Sequence, residues 1–168
     1  IGYSLSVMIL IFAEIGLIKK EIINDLHSTY SNKIGNLDKT YYLEIANRIY
    51  GKFPVIYSNG GFMETLSIRL KGQLAENSKV LSYQSIFPEH NHNEIEGWNN
   101  LREFIRDFVV IWIKDENDIQ EIKNRMNIVG GIIDKYNSNQ VVLELVGSSK
   151  FERVVSMINT IDWISFYL

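Results

Sequence analysis

The stretch FPVIYSNGGFMETLSIRLKGQLAENSKVLSYQ, residues 53–84, shows the succession of strand and helix that continues along the rest of the chain. It begins with a short apolar run at 53–58, which is typical of a buried strand, and passes through two glycines. Residues 62–76 then have helical spacing, and residues 79–84 have the character of a second strand. The apolar positions that share one face of the predicted helix are Met63, Leu66, Leu70 and Leu74. The stretch therefore predicts a strand, a helix and a second strand in succession.

The same alternation of helices and strands continues on both sides of this unit. The further predicted elements are a helix over 41–52 that closes at Gly51, a short helix over 99–107, a strand over 108–113, a long helix over 115–136 with Asp115 as its N-cap, a strand over 141–146 and a helix over 150–168. The predicted strands are continuous apolar runs, as expected for strands that are covered on both faces. The sequence therefore predicts an α/β protein, a three-layer α/β/α sandwich with a parallel sheet.

The first 40 residues have a different character. Residues 1–26 have a helical pattern, and residues 27–40 are rich in Ser, Asn, Thr and Gly, which indicates a connector. The apolar start has no basic leader or cleavage site and is at the short limit for a membrane span, so we expect a buried or half-buried helix. The prediction is an N-terminal linking helix with its connector over 1–40 and an α/β domain over 41–168. Because the chain begins with Ile in mid-helix, we expect a fragment or a processed chain.

The composition limits the classes of function. The formal net charge is -3 and the basic residues form no stripe, so nucleic acid is not expected as a partner. The chain contains no cysteine, which excludes disulfides, thiolate metal sites and cysteine nucleophiles and suits a reducing compartment. We therefore expect a cytoplasmic globular protein with no nucleic acid and no membrane among its partners.

The stretch FPEHNHNEIEGW, residues 87–98, is a candidate site because it follows a predicted strand of a parallel sheet. His90 and His92, with an oxygen from Glu89 or Glu94, could ligate a metal ion. Two solvated loop histidines without any function explain the same short pattern. Neither alternative is excluded by the residues alone.

Two further alternatives involve other segments. SNGG, residues 58–61, precedes a predicted helix and could bind a phosphate through its backbone N–H groups, or could form only a tight turn. A histidine and a carboxylate could also work together in proton transfer. Glu76 could come near the histidines if the end of its helix folded toward the same edge of the sheet, which topology alone does not determine.

Residues 69–98, RLKGQLAENSKVLSYQSIFPEHNHNEIEGW, resemble the archaeal and bacterial bifunctional phosphoglucose/phosphomannose isomerases of the sugar isomerase (SIS) superfamily. The resemblance rests on KGQLAENSK (71–79) and PEHNHNEIEGW (88–98), in this order and at the family's interval, and on the later DWISFYL (162–168). A weaker likeness runs over essentially the whole chain. It implies a flavodoxin-type SIS fold with two SIS domains in one chain, and a homodimer with its active site at the interface. This chain would be the C-terminal SIS domain, incomplete at its C-terminal end and lacking the N-terminal SIS domain.

The resemblance also implies two catalytic residues. Glu76 occupies the position of the glutamate that moves a proton between C1 and C2 of the sugar through a cis-enediol. His92 occupies the position of the histidine that opens the sugar ring. His90 matches no functional position of the family. The family's reaction implies no metal and no cofactor.

The implied function is the interconversion of glucose 6-phosphate or mannose 6-phosphate with fructose 6-phosphate. The family's phosphate-binding loop lies in the first SIS domain, an arginine lies before Ile1 and a lysine lies beyond Leu168, so we expect this chain to be inactive alone. The alternative is a non-catalytic SIS module that binds a phosphosugar or serves dimerisation. A weaker alternative is a metal-dependent hydrolase built on His90 and His92.

Overall fold

The computed structural model of the chain describes residues 2–32, 39–100 and 102–168. Within these residues the secondary structure alternates between helices and four strands. In order, the elements are α1 (Gly2–Glu14), α2 (Glu21–Asn32), α3 (Lys39–Ile49), β1 (Phe53–Asn59), α4 (Phe62–Glu76), β2 (Tyr83–Phe87), α5 (Glu89–Asn93), a 3-10 helix (Ile95–Asn99), α6 (Arg102–Ile105), β3 (Phe108–Asp115), α7 (Gln120–Ile133), β4 (Gln140–Leu145) and α8 (Lys150–Tyr167).

The four strands form one parallel sheet in the order β2-β1-β3-β4. Val55 of β1 lies opposite Tyr83 of β2 on one side and opposite Val110 of β3 on the other. The chain moves outward from β1 to β2 and then returns past β1 to β3, so the strand order reverses between β1 and β3. The predicted parallel α/β sandwich is confirmed.

The sheet separates two apolar cores. On one face, Ile56 and Ile111 pack against α3, α4 and α8. On the other face, Val55, Val110 and Trp112 pack against α7 and the 3-10 helix. Neighbouring residues belong to different cores because successive side chains of a strand point to opposite faces. Each fully buried side chain of this size contributes roughly 1.5–3 kcal/mol to folding, and the two cores together explain why the strands are apolar throughout.

The helix before β1 ends as predicted. Gly51 has a φ of 70°, a left-handed conformation that glycine adopts without strain. The backbone N–H of Lys52 donates to the oxygen of Ile49 at 2.9 Å and closes the last turn. The chain then enters β1 at Phe53.

The N-terminal segment differs from the prediction of a single helix over 1–26. The chain turns at Gly16, which has a φ of 77°, and this left-handed conformation separates α1 from α2. Helix α2 continues to Asn32 and packs against α8, so the first part of the predicted connector is helical. Residues 33–38 of that connector lie outside the described residues. In the part of the chain that the structure describes, no helix is both long enough and apolar enough to span a bilayer.

The second strand begins at Tyr83, so the prediction of a strand over 79–84 is wrong at both ends. Lys79 has a φ of 60°, which is incompatible with a strand. The backbone N–H of Val80 still donates to the oxygen of Leu74 at 3.0 Å, so this residue belongs to the turn that ends α4. The strand forms only after this turn, where β1 offers it backbone partners.

Asp115 is the last residue of β3, and its prediction as the N-cap of a helix is wrong. It lies opposite Leu145 of β4, which extends the strand beyond its apolar run. Its buried carboxylate pairs with Arg153 of α8 at 3.2 Å. Helix α7 begins later, at Gln120, with Ile119 in the cap position.

Candidate functional site

Glu76 lies at the C-terminus of α4, near the edge of the sheet where the parallel strands begin. Helix α4 starts beyond the carboxyl end of β1 and runs back along the sheet for 15 residues, which corresponds to about 22 Å. The side chain of Glu76 is exposed and lines an open groove of about 490 Å³. The other lining residues are Gln73, Asn77, Asp162, Trp163 and Phe166. The groove therefore lies between the end of α4 and the end of α8.

Hydrogen bonds join the two segments that border this groove. Nδ2 of Asn77 donates to Oγ of Ser165 at 2.9 Å and to Oε1 of Gln73 at 2.8 Å. The hydroxyl of Ser78 donates to the backbone oxygen of Ser165 at 2.8 Å. Glu76 directly precedes Asn77, so these bonds fix the backbone from which its carboxylate extends. The structure thus brings together ENSK and DWISFYL, two of the segments that carry the family resemblance.

An ion pair holds the second carboxylate of the groove. Nη2 of Arg69 lies 2.6 Å from Oδ1 of Asp162. Nε2 of Gln73 donates to the same oxygen at 2.9 Å. All three side chains connect α4 to α8, so the pair serves to align the two helix ends. The charge of Asp162 is compensated within the chain, whereas that of Glu76 faces the groove.

The groove as a whole is acidic. Glu76 and Asp162 line it, and none of the lining residues that the structure describes is basic. The ammonium of Lys79 is nearby, but it donates to the backbone oxygen of Glu76 at 2.6 Å, where it compensates the negative end of α4. A phosphate group would find no basic side chain in the described lining.

Aromatic side chains form the wall of the groove on the side of α8. The ring of Trp163 stacks on Tyr42 and on Tyr167, with centroids 6.4 Å and 5.7 Å apart. Phe166 is 71% exposed, and its ring meets that of Trp163 edge-on. An exposed aromatic ring beside a carboxylate suits a ligand with both apolar and polar faces.

His92 lies in α5, beyond the carboxyl end of β2, and its side chain is exposed. Helix α5 packs on the face of the sheet opposite to α4, because its His90 contacts Tyr57 and Phe87 of the second core. Glu76 lies in the layer of α4, at the end of the sheet where the parallel strands begin, whereas His92 lies at the end where they finish. The structure therefore does not bring the two predicted catalytic residues together within one chain.

His90 is fully buried, with 0% of its surface exposed, which corrects the expectation of a solvated loop histidine. Its ring centroid lies 4.2 Å from that of Tyr57 and 5.0 Å from that of Phe87. Neither ring nitrogen has a hydrogen-bond partner among the described residues. Burial lowers the pKa of His90, and the nearby Glu94 and Asn91 offset this only in part. The ring is therefore neutral at neutral pH.

The helical conformation of α5 separates the two histidines of the pattern. Positions two apart on an α-helix point about 200° away from each other, so His90 faces the core and His92 faces solvent. One ion cannot reach both rings. Over residues 2–32, 39–100 and 102–168, no three side chains of His, Asp or Glu are grouped so that they could hold a metal ion.

The glycine turn after β1 does not favour an anion. Gly61 has a φ of 71° and leads into α4. The backbone N–H of Gly60 donates to Oδ1 of Asn59 at 2.8 Å, so it is already used. Nδ2 of Asn59 in turn donates to Oδ1 of Asp118 at 3.0 Å. A phosphate at this turn would meet the negative charge of Asp118.

The sequence reasoning missed a cluster of hydroxyl groups around Glu94. The carboxylate of Glu94 accepts hydrogen bonds from Ser85 Oγ at 2.5 Å and from Tyr83 Oη at 2.8 Å. The two donors are two positions apart on β2, so they share one face of the strand. The alternation of Tyr83 and Ser85 was visible in the sequence. Because the predicted strand ended at residue 84, the two residues were not placed on one strand.

A family model described as the bacterial phospho-glucose isomerase C-terminal SIS domain matches residues 39–168. The chain belongs to this family. The matched region includes the whole sheet, the groove beside Glu76 and the helix that carries His92, so the SIS resemblance of the sequence is confirmed.

Curated relatives support the same relationship. A bifunctional phosphoglucose/phosphomannose isomerase of Aquifex aeolicus (strain VF5) is 38% identical over 125 residues, which are 74% of this chain and 38% of the relative. The protein of the same name from Caldicellulosiruptor bescii is 29% identical over 177 residues, which are 100% of this chain and 52% of the relative. The chain thus spans about half the length, or less, of these relatives.

The SIS fold is also shared with solved structures. The C-terminal domain of glucosamine-fructose-6-phosphate aminotransferase from Francisella tularensis superposes with a TM-score of 0.65 at 15% identity. The superposition covers 88% of this SIS chain and 44% of that chain. At this identity the likeness concerns the fold alone.

Proposed function

We propose that this chain is the C-terminal SIS part of a phosphosugar isomerase that interconverts glucose 6-phosphate or mannose 6-phosphate with fructose 6-phosphate. Glu76 is the proposed base. The observation that carries the proposal is the exposure of its carboxylate in the groove where the ENSK and DWISFYL segments meet. The name of the curated relatives supports the same class of reaction.

In the proposed reaction the carboxylate of Glu76 removes a proton from the carbon beside the carbonyl group of the open sugar. It returns the proton to the neighbouring carbon, and a cis-enediol lies between the two steps. The groove of about 490 Å³ is within the usual size of a small-molecule site. Because Arg69 and Gln73 hold Asp162, Glu76 is the lining carboxylate that is turned toward a ligand.

We propose that the ring-opening histidine, His92, reaches the groove from a second copy of the chain. Within one chain His92 and Glu76 lie at opposite edges of the sheet, so His92 cannot serve the groove of its own chain. A two-fold homodimer would supply each groove with the His92 of the other copy. The interface would then be part of the active site.

We propose further that the substrate's phosphate is held by an N-terminal SIS domain and that these 168 residues alone are inactive. Two observations support this. The described lining of the groove contains no basic side chain, and the matches span only 38% and 52% of the length of the curated relatives. Because the proposed substrates are hexose phosphates, the proposal includes a cytoplasmic location and a role in hexose phosphate metabolism.

The test is a coupled isomerase assay on the 168-residue chain and on the complete product of its reading frame. We expect turnover from the complete product alone. Glu76→Gln should lower its kcat by about 10²–10⁴-fold, the usual contribution of a general base, with little change in KM. Glu121→Gln, at an exposed position of α7, is the matched control and should leave kcat unchanged. Full activity of the Glu76→Gln protein would contradict the proposal.

The second candidate is a non-catalytic SIS module that binds a phosphosugar or serves dimerisation. It is favoured by the separation of Glu76 from His92 in a single chain, since a binding module needs no such pair. The same assay distinguishes the two candidates. A complete product that binds fructose 6-phosphate in calorimetry without any turnover would establish the second.

A further inference from the structure

We propose that Glu94 is a positioning residue for His92, because its carboxylate ties the short helix that carries His92 to strands β1 and β2. The inference deepens the proposed function and rests on it for the role of His92. The tether itself stands on contacts that do not depend on any activity.

The tether consists of three hydroxyl groups on neighbouring strands. Ser85 and Tyr83 of β2 donate to Oε1 of Glu94 at 2.5 Å and 2.8 Å. Tyr57 of β1 lies directly opposite Ser85 in the sheet, and its hydroxyl donates to Oε2 at 3.5 Å. Both oxygens of the carboxylate are therefore engaged, each from a different strand.

The two tyrosines are reliable donors. Burial raises the pKa of Tyr57 above its ordinary value, and the indole N–H of Trp98 donates to its oxygen at 3.3 Å. With that lone pair taken, the proton of Tyr57 is directed to Glu94. Burial, and then the bond to Glu94, raise the pKa of Tyr83 as well. Both hydroxyls remain protonated at neutral pH and donate to a carboxylate. The bond from Tyr83, at 2.8 Å, is short and charge-assisted, whereas that from Tyr57, at 3.5 Å, is long and weaker.

The opposite end of the same turn is held by packing. The buried ring of His90 lies against Tyr57 and Phe87. The backbone N–H of Glu94 donates to the oxygen of His90 at 3.1 Å, so the two anchors are one helical turn apart. His92 lies between them in sequence and faces solvent, on the other side of the helix.

Helix α5 is too short to hold this geometry by itself. It has five residues, and isolated helices are marginal in water below about 12–15 residues. Its orientation therefore depends on side-chain anchors, of which His90 supplies the apolar one and Glu94 the polar one. Loss of the polar anchor would let the helix rotate about His90 and would move the imidazole of His92 away from its working position.

The experiment compares Glu94→Gln with the wild type in two measurements. In the complete product of the reading frame, we expect kcat to fall tenfold or more while KM and the melting temperature stay close to the wild type. In the 168-residue chain, we expect the amide hydrogens of Asn91, Glu94 and Gly97 to exchange at least tenfold faster, with the exchange of the sheet unchanged. These amides donate to the oxygens of Pro88, His90 and Glu94, and so report on this segment.

Two further variants make the test specific. The double variant Tyr83→Phe with Ser85→Ala removes donors and keeps Glu94, and should reproduce the loss of kcat. Glu89→Gln changes an exposed carboxylate of the same helix, which accepts a hydrogen bond from Asn93 at 3.1 Å and forms none with either strand in the described part of the chain, and should change neither measurement.

The outcomes separate the two proposals. Wild-type kcat in the Glu94→Gln protein, or unchanged exchange of the three amides, would overturn the positioning role and leave the proposed function intact. A fall in kcat accompanied by faster exchange throughout the sheet would also overturn it, because the effect would then be a general loss of stability. Absence of isomerase activity in the wild type would overturn both proposals.

Discussion

Two histidines that stand two positions apart have opposite surroundings. His90 is buried against aromatic rings and His92 is exposed on the other side of the same turn. The first contributes an apolar anchor with a titratable ring, and the second is available to a ligand. The residue pattern alone does not show which of the two side chains is buried. That depends on the helical conformation of α5 and on the core against which it packs.

The burial of His90 predicts a pH-dependent stability. Burial lowers the pKa of His90 below its ordinary value of 6.5. Between pH 6.5 and the lowered pKa, the ring is therefore protonated in the unfolded chain and neutral in the folded chain. The free energy of unfolding is therefore unaffected well above pH 6.5 and decreases as the pH falls below it, by up to about 1.4 kcal/mol per pH unit. The loss ends once the pH is below the lowered pKa.

Replacement of the ring checks this prediction. His90→Phe keeps an aromatic side chain in the pocket and removes the titration, so urea unfolding between pH 7 and pH 5 should show a smaller loss of stability than in the wild type. His92→Gln, at the exposed position, should follow the wild-type curve. Parallel curves for His90→Phe and the wild type would show that the ring is not buried as described.

Helix α4 connects the fold with the candidate site, because its buried face packs in the core and its last residue is Glu76. The sequence predicted its bounds correctly, since regular apolar spacing identifies a helix without any tertiary information. The strand that follows was misplaced. Its start depends on the turn at Lys79 and on the contacts of Asn77 and Ser78 with α8, which join residues far apart in the chain.

The two faces of α4 should respond differently to truncation. Leu70 is 0% exposed in the first core, whereas Ile68 is 54% exposed on the same helix. Leu70→Ala should lower the free energy of unfolding by about 2–5 kcal/mol. Ile68→Ala should lower it by no more than about 0.5 kcal/mol. Urea unfolding measures both, and equal losses would mean that the helix is rotated relative to the structure described.

The fold of the whole molecule explains why the two proposed catalytic residues lie far apart in one chain. In a parallel sheet with helices on both faces, a helix that returns from β1 ends at the edge where strands begin, and a segment that follows β2 starts at the edge where strands end. Glu76 and His92 belong to these two opposite edges. Their order and spacing in the sequence supported a common role, but no local pattern indicates that one chain cannot unite them.

The family of the chain was predictable because its motifs are contiguous segments. The separation of Glu76 from His92 was expected only through the family resemblance, which implies an active site at a dimer interface. No local pattern indicates it, since it follows from the length of α4 and from the layer in which α5 packs. The acidic lining of the groove has the same origin, because it arises from two helix ends that are distant in sequence. Both features make a second copy and a further domain part of the proposed activity.

The central claim is that one active site takes Glu76 from one copy and His92 from the other. Its most direct test is a heterodimer of the complete product in which one subunit carries Glu76→Gln and the other His92→Gln, purified through two different tags. A shared site leaves one of two sites intact, so the heterodimer should have about half the wild-type isomerase activity, whereas both parent homodimers should be nearly inactive. A heterodimer as inactive as its parents would contradict the account.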